Sequence, residues 1–133
     1  MPNHWLLKTE PSTYSWADLE REKTAVWDGV SNPVALRNLA AMSVGDDALI
    51  YHTGGEKAVV GLARVTRAAY PDPKAKDPKL LVIELTPTRR LASGVTLAEI
   101  KGDPLFRDSP LVRQGRLSVV QLSDAQFRRL TQG

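Results

Sequence analysis

Short helices with explicit start signals, set unevenly between β-rich runs, constrain this fold more than any other feature of the chain. Asn32 caps a helix with Pro33 at its first position, and Leu36, Leu39 and Ala40 form the buried stripe. Ser15 caps a shorter helix on which Trp16 and Leu19 share one face. Thr96 and Glu99 sit at capping-box spacing, with Val95 and Ile100 as a hydrophobic staple. Ser123 and Gln126 repeat the design, with Leu122 and Phe127 as the staple.

Strands fill the intervals. The apolar run Trp5-Leu6-Leu7 predicts a first strand ending near Glu10-Pro11. The pattern predicts further strands over 48–52, 58–68, 80–86 and 116–122, with a hairpin loop over 53–57. The stretch 70–79 carries three prolines and three lysines and reads as an extended loop. Gly61, inside a strand, predicts a bulge or a close backbone approach, which a barrel corner would need. The sum is an α+β chain of five or six strands, a strongly bent or closed mixed sheet with short helices around it.

Composition narrows the function classes. The 133 residues suit one domain over 1–133, and 42% hydrophobic content suffices for a core. Apolar runs fall far short of the roughly 20 residues of a membrane-spanning helix. The start, Met1-Pro2-Asn3-His4, does not read as a signal peptide. There is no cysteine, which excludes disulfides, thiolate nucleophiles and zinc–thiolate centres. A cytoplasmic or nuclear address is the expectation. His4 and His52 have no carboxylates at ligand spacing, so no metal and no cofactor are expected. Phosphate-loop and nucleophile-elbow motifs are missing. A net charge of +3 hints weakly at a polyanionic partner, and the second half is biased towards arginine, including Arg113 and Arg116.

The candidate site starts from Trp27-Asp28-Gly29-Val30-Ser31-Asn32. A flat π surface stands beside an acid and an amide, on backbone that glycine lets turn sharply, which suits a planar polar ring. The same residues also suit a core Trp followed by a turn and a helix cap. Lys8 and Glu10 share one strand face, about 7 Å apart. They read either as an ion pair on a cleft or as an acid–base pair. Tyr51 can stack or donate, and His52, beside glycines, reads as an exposed histidine.

The chain resembles the EVE domain family. The resemblance runs through Trp5-Leu6-Leu7-Lys8-Thr9-Glu10-Pro11, Tyr14-Ser15, Trp27-Asp28-Gly29-Val30-Ser31-Asn32, Tyr51-His52-Thr53 and Arg116-Leu117-Ser118-Val119, with shorter matches between them. It implies a PUA-like fold, a small bent β-barrel related to the YTH readers and ASCH domains. It also implies a module that reads a modified nucleobase such as 5-methylcytosine or an oxidised form, in DNA or RNA. From their chemistry, Trp27 is expected to form a pocket wall and Asp28, Gly29, Val30 and Asn32 the rim. Lys8, Glu10, Tyr51, His52 and Ser118 would line the cleft, and Arg113 and Arg116 would touch phosphates. The alternatives are an ASCH-like hydrolase of modified nucleosides using Lys8 and Glu10, and a peptide-binding scaffold.

Overall fold

The computed structural model describes residues 3–131, with backbone only at 92 and 93. In chain order the elements are β1 (His4–Thr9), α1 (Trp16–Glu22), β2 (Ala25–Trp27), α2 (Pro33–Ala41), β3 (Asp47–His52) and β4 (Ala58–Pro71). They continue with β5 (Leu81–Thr96), α3 (Leu97–Lys101), a 3₁₀ turn (Pro104–Phe106), α4 (Pro110–Arg113), β6 (Val119–Leu122) and α5 (Asp124–Thr131). The six strands form one mixed sheet in the order β2-β5-β4-β3-β1-β6. Among the described residues only β1 and β3 run parallel.

The α+β, PUA-like expectation holds, as a bent sheet that does not close by hydrogen bonds. Long arms do the bending. Strands β4 and β5 pair over most of their length, yet their register shifts at four places. Each shift leaves residues outside the ladder and kinks the ribbon. Pro87, opposite Ala63, stands beside one such shift, where a missing N–H is tolerated. Gly61 satisfies both readings made of it. It adjoins register shifts with both neighbours. A Cβ there would also lie 2.3 Å from the Trp16 indole, so the ring packs directly on strand backbone.

The caps form where expected, but among the described residues Glu99 does not return the reciprocal bond to Thr96, so that box is half formed. Ser15 and Asp18 close a reciprocal capping box on α1. Asn32 accepts from the Val34 and Ala35 amides. Ser123 and Gln126 exchange both bonds of their box. Thr96 accepts from the Glu99 amide. The buried stripe of α2 differs from expectation. Ala35 and Leu39 are buried and Leu36 is half-buried, but Ala40 is exposed. Asn38 takes the interior place beside them and donates to the Val119 carbonyl at 2.8 Å, tying α2 to β6.

One buried acid holds the first strand in place. Asp46 is 3% exposed and accepts from Asn3 N (3.0 Å), Trp5 Nε1 (2.9 Å) and Ser43 N (3.0 Å). Three bonds to one carboxylate offset its loss of water. No described helix is long and apolar enough to cross a membrane.

Candidate functional site

Strand order puts β2 on one edge of the sheet and β1 and β6 at the other. A single cleft of about 410 Å³ is nevertheless lined from both ends. The end of β1 supplies Lys8, Thr9 and Glu10, and the following turn supplies Thr13 and Tyr14. The end of β2 supplies Val26, Trp27, Asp28, Gly29 and Val30, and the approach to β6 supplies Ser118. The sheet therefore curls until its two edges face each other, and the cleft is the open seam between them.

Local bonds fix the walls. Lys8 N donates to the Ser118 carbonyl at 2.9 Å, joining β1 to the chain ahead of β6. The Glu10 carbonyl accepts from the Thr13 and Tyr14 amides, both at 2.9 Å, and folds the turn back. Thr9 Oγ1 donates to the Tyr14 carbonyl at 2.7 Å, setting where that ring stands. Tyr14 meets Trp27 edge to face, centroids 6.0 Å apart. Gly29 has φ +78° with open space around its Cβ position, so conformation and not crowding selects glycine there. That left-handed residue turns the chain out of β2 and leaves Asp28 and Gly29 exposed on the rim.

The electrostatics are mixed on one rim. Burial lowers the Lys8 ammonium pKa from its ordinary value. Burial, then the hydrogen bond to Glu22 and its charge, pushes the Tyr14 phenol up to about 12. Tyr14 is thus a neutral donor and an apolar ring at any physiological pH. Glu10 Oε1 accepts from Ser12 N and Ser12 Oγ, and Lys8 Nζ donates to the Gly115 carbonyl at 2.9 Å. Lys8 and Glu10 share the cleft but are held by different partners, so the expected ion pair is not formed.

Of the residues singled out in the sequence, the seam gathers Trp27, Asp28, Gly29, Val30, Lys8, Glu10 and Ser118. Trp27 is only 7% exposed, so its indole offers a wall more than an open shelf. It belongs to β2, a strand too short for alternation to reveal. Four expectations need correction. Asn32 spends its side-chain oxygen on the α2 cap and does not line the cleft. His52 is buried, not exposed. Its Nε2 accepts from the Trp16 amide at 3.0 Å, which places the ring proton on Nδ1, facing Glu56 Oε1 at 2.6 Å. It is a structural cap of α1. Tyr51 faces a second, smaller cavity. Arg113 is outside both cavities, with its guanidinium on the Arg107 carbonyl and Asp108. Arg116 is exposed between Gly115 and Ser118, each of which lines one cavity. Sequence reasoning missed Thr9, Thr13, Tyr14 and Val26 as cleft residues. The signal for Thr13 and Tyr14 was the Glu10-Pro11 turn, which returns the chain onto the end of β1. Among the described residues no group of His, Asp and Glu is placed to hold a metal ion.

The EVE domain family profile matches residues 3–133. Mouse thymocyte nuclear protein 1 is 32% identical over 96% of this chain and 71% of its own length. A crystal structure of a protein from Agrobacterium tumefaciens superposes with TM-score 0.92 at 30% identity, covering 97% of this chain and 90% of that one. Human THYN1, in complex with 5-methylcytosine-containing DNA, superposes with TM-score 0.87 at 29% identity, covering 97% and 95%.

Proposed function

The chain belongs to the EVE domain family, and on that premise we propose that it binds DNA and reads one modified nucleobase, 5-methylcytosine or an oxidised form of it, in the seam cleft. The observation that carries this reading is the aromatic corner of Trp27 and Tyr14 inside a cleft whose rim holds both carboxylates and an ammonium. The likeness to human THYN1 bound to methylated DNA supports the nucleic-acid partner.

The chemistry is complementary to a cytosine ring. Its exocyclic amine donates, and Asp28 and Glu10 accept; its ring acceptors face donors in Lys8 and the Ser118 hydroxyl. The 5-methyl gains about 0.8 kcal/mol on burial. Neutral hydrogen bonds add about 0.5–1.5 kcal/mol each, and stacking about 1–3. Extruding the base costs a few kcal/mol, so base contacts and phosphate contacts must together exceed that cost.

Binding is preferred to hydrolysis on a specific ground. A hydrolase reading needs Lys8 and Glu10 to exchange protons as a pair, whereas each is engaged elsewhere, and His52 is turned into the core. The test is fluorescence anisotropy with oligonucleotides carrying one 5-methylcytosine or cytosine. The methyl alone predicts about fourfold tighter binding to the modified strand. Trp27→Ala should weaken binding about fivefold or more, and Asp28→Asn, at an exposed residue, should erode discrimination without unfolding. Equal affinities for both strands, unaltered in both variants, would remove the proposal.

A further inference from the structure

Behind Lys8 lies a second cavity of about 200 Å³, and its chemistry differs from that of the seam. Lys8, Lys57 and Lys101 all line it, with Tyr51, Thr53 and the Gly115 backbone among the other walls, and no carboxylate does. Among the described residues none of these three lysines, like the other lysines of the chain, has a carboxylate within ion-pair reach. Lys8 crosses between the cavities: it lines both, reaches the Gly115 carbonyl, and lies over the Tyr51 ring, 5.6 Å from its centroid.

The other two lysines are exposed and stand on neighbouring elements. Lys57 adopts a left-handed φ of 47°, which side chains seldom take. Its carbonyl accepts from Leu97 N at 2.7 Å, so the β3–β4 hairpin is pinned to the first turn of α3, the helix that carries Lys101. Three lysines thus border one small cavity, with the Glu10 carboxylate against Gly54 at its edge; like charges gathered there repel one another, and an anion among them reduces that cost.

We propose that this second cavity is a phosphate seat, holding the backbone phosphate next to the nucleotide whose base enters the seam. The inference rests on the base-reading proposal for its neighbour. The two cavities sort the nucleotide by charge. Glu10 and Asp28 on the seam repel phosphate and accept from a base, whereas the lysine cavity attracts phosphate. It replaces Arg113, which is bound to Asp108, as the phosphate contact.

The experiment compares the whole chain with the double variant Lys57→Gln/Lys101→Gln, and with Lys74→Gln/Lys76→Gln on the exposed loop as a charge-matched control. The probes are 5-methyl-2′-deoxycytidine, its 3′- and 5′-monophosphates, inorganic phosphate and a single-stranded oligonucleotide with one 5-methylcytosine. One monophosphate should bind on the order of tenfold tighter than the nucleoside. That advantage should vanish in the double variant while nucleoside affinity stays. The slope of log affinity against log salt should fall by about 0.7, the share of one phosphate, in the double variant and not in the control, and by a smaller amount in Lys101→Gln alone should the double variant fold poorly. Monophosphates no tighter than the nucleoside, or an unaltered salt slope, would overturn the seat. Inorganic phosphate competing as well as the monophosphate would overturn its link to the base. A nucleoside that does not bind would instead overturn the base reading, and the oligonucleotide slope would still decide the seat.

Discussion

Replacing Gly61 by alanine adds one methyl group to the least accommodating spot in the sheet. An ideal Cβ would lie 2.3, 2.4 and 2.5 Å from Cδ2, Cε3 and Cε2 of Trp16. Carbon atoms prefer about 3.5–4.0 Å, so the indole or the strand must move by more than 1 Å. Neither moves easily. Trp16 is 1% exposed, and its amide is bonded to His52. Gly61 is paired to Ile50 on one side and Arg90 on the other. Overpacking of this kind costs about 3 kcal/mol, at the upper end of the usual range. Because Gly61 has an ordinary φ, alanine also restricts the unfolded chain, which returns about 0.4–1 kcal/mol. The clash wins, leaving a net loss of about 2–2.5 kcal/mol and a melting temperature lower by roughly 8 °C. Gly55→Ala, with open space at its Cβ position, is the control and should not destabilise. Urea unfolding measures both. Trp16→Phe should cost less in the Gly61→Ala background than alone, with a coupling above about 1 kcal/mol. Tyr14 stands two residues before Trp16, so a displaced α1 should also weaken base binding. A Gly61→Ala protein within about 0.5 kcal/mol of the parent would refute the argument that this glycine exists for the indole.

Two further predictions concern polar groups held by hydrogen bonds. Asp46→Ala strands three donors, at Asn3, Trp5 and Ser43, and should cost about 3 kcal/mol in denaturant unfolding, with Asp46→Asn milder; a loss under about 1 kcal/mol would contradict the anchoring role. The Tyr14 phenol has a folded pKa of about 12, above the ordinary value near 10. Its contribution is therefore full below pH 10 and lost as pH rises through 10 towards 12, because the unfolded phenol ionises first. Tyr51 and Tyr70 are shifted in the same direction, by burial and by the Glu84 hydrogen bond respectively. Circular dichroism across that window should show unfolding that Tyr14→Phe partly relieves; a flat profile would contradict it.

Local chemistry made the helices legible and left the long strands and the seam hidden. Caps such as Asn32-Pro33 and Ser123–Gln126 act within four residues, so the sequence displays them directly. Strand β5 runs ten residues past the expected end at 86, where the apolar run gives way to Pro87 and Arg89-Arg90. In the sheet Pro87 sits at a register shift and the arginines are exposed, so neither breaks the strand. Strand β2 has three residues, too few for periodicity, and its place depends wholly on pairing with β5. His52 looked exposed beside Gly54 and Gly55, yet its partner is the Trp16 amide, 36 positions away. The cleft inherits this difficulty. The residues near Trp27 and near Lys8 were visible as chemistry, and the family resemblance joined them. That they face each other follows from a curl produced by four register shifts, of which the local pattern marks the one at Gly61. Tyr14 entered unseen for the same reason.

The central claim is that the seam between the sheet edges receives one base taken out of a nucleic acid. A crystal structure of this protein with an oligonucleotide bearing a single 5-methylcytosine tests it most directly. The account predicts the modified ring in the cleft between Trp27, Tyr14 and Val30, its exocyclic amine on Asp28 or Glu10. A bound oligonucleotide with every base stacked and the cleft empty would contradict it.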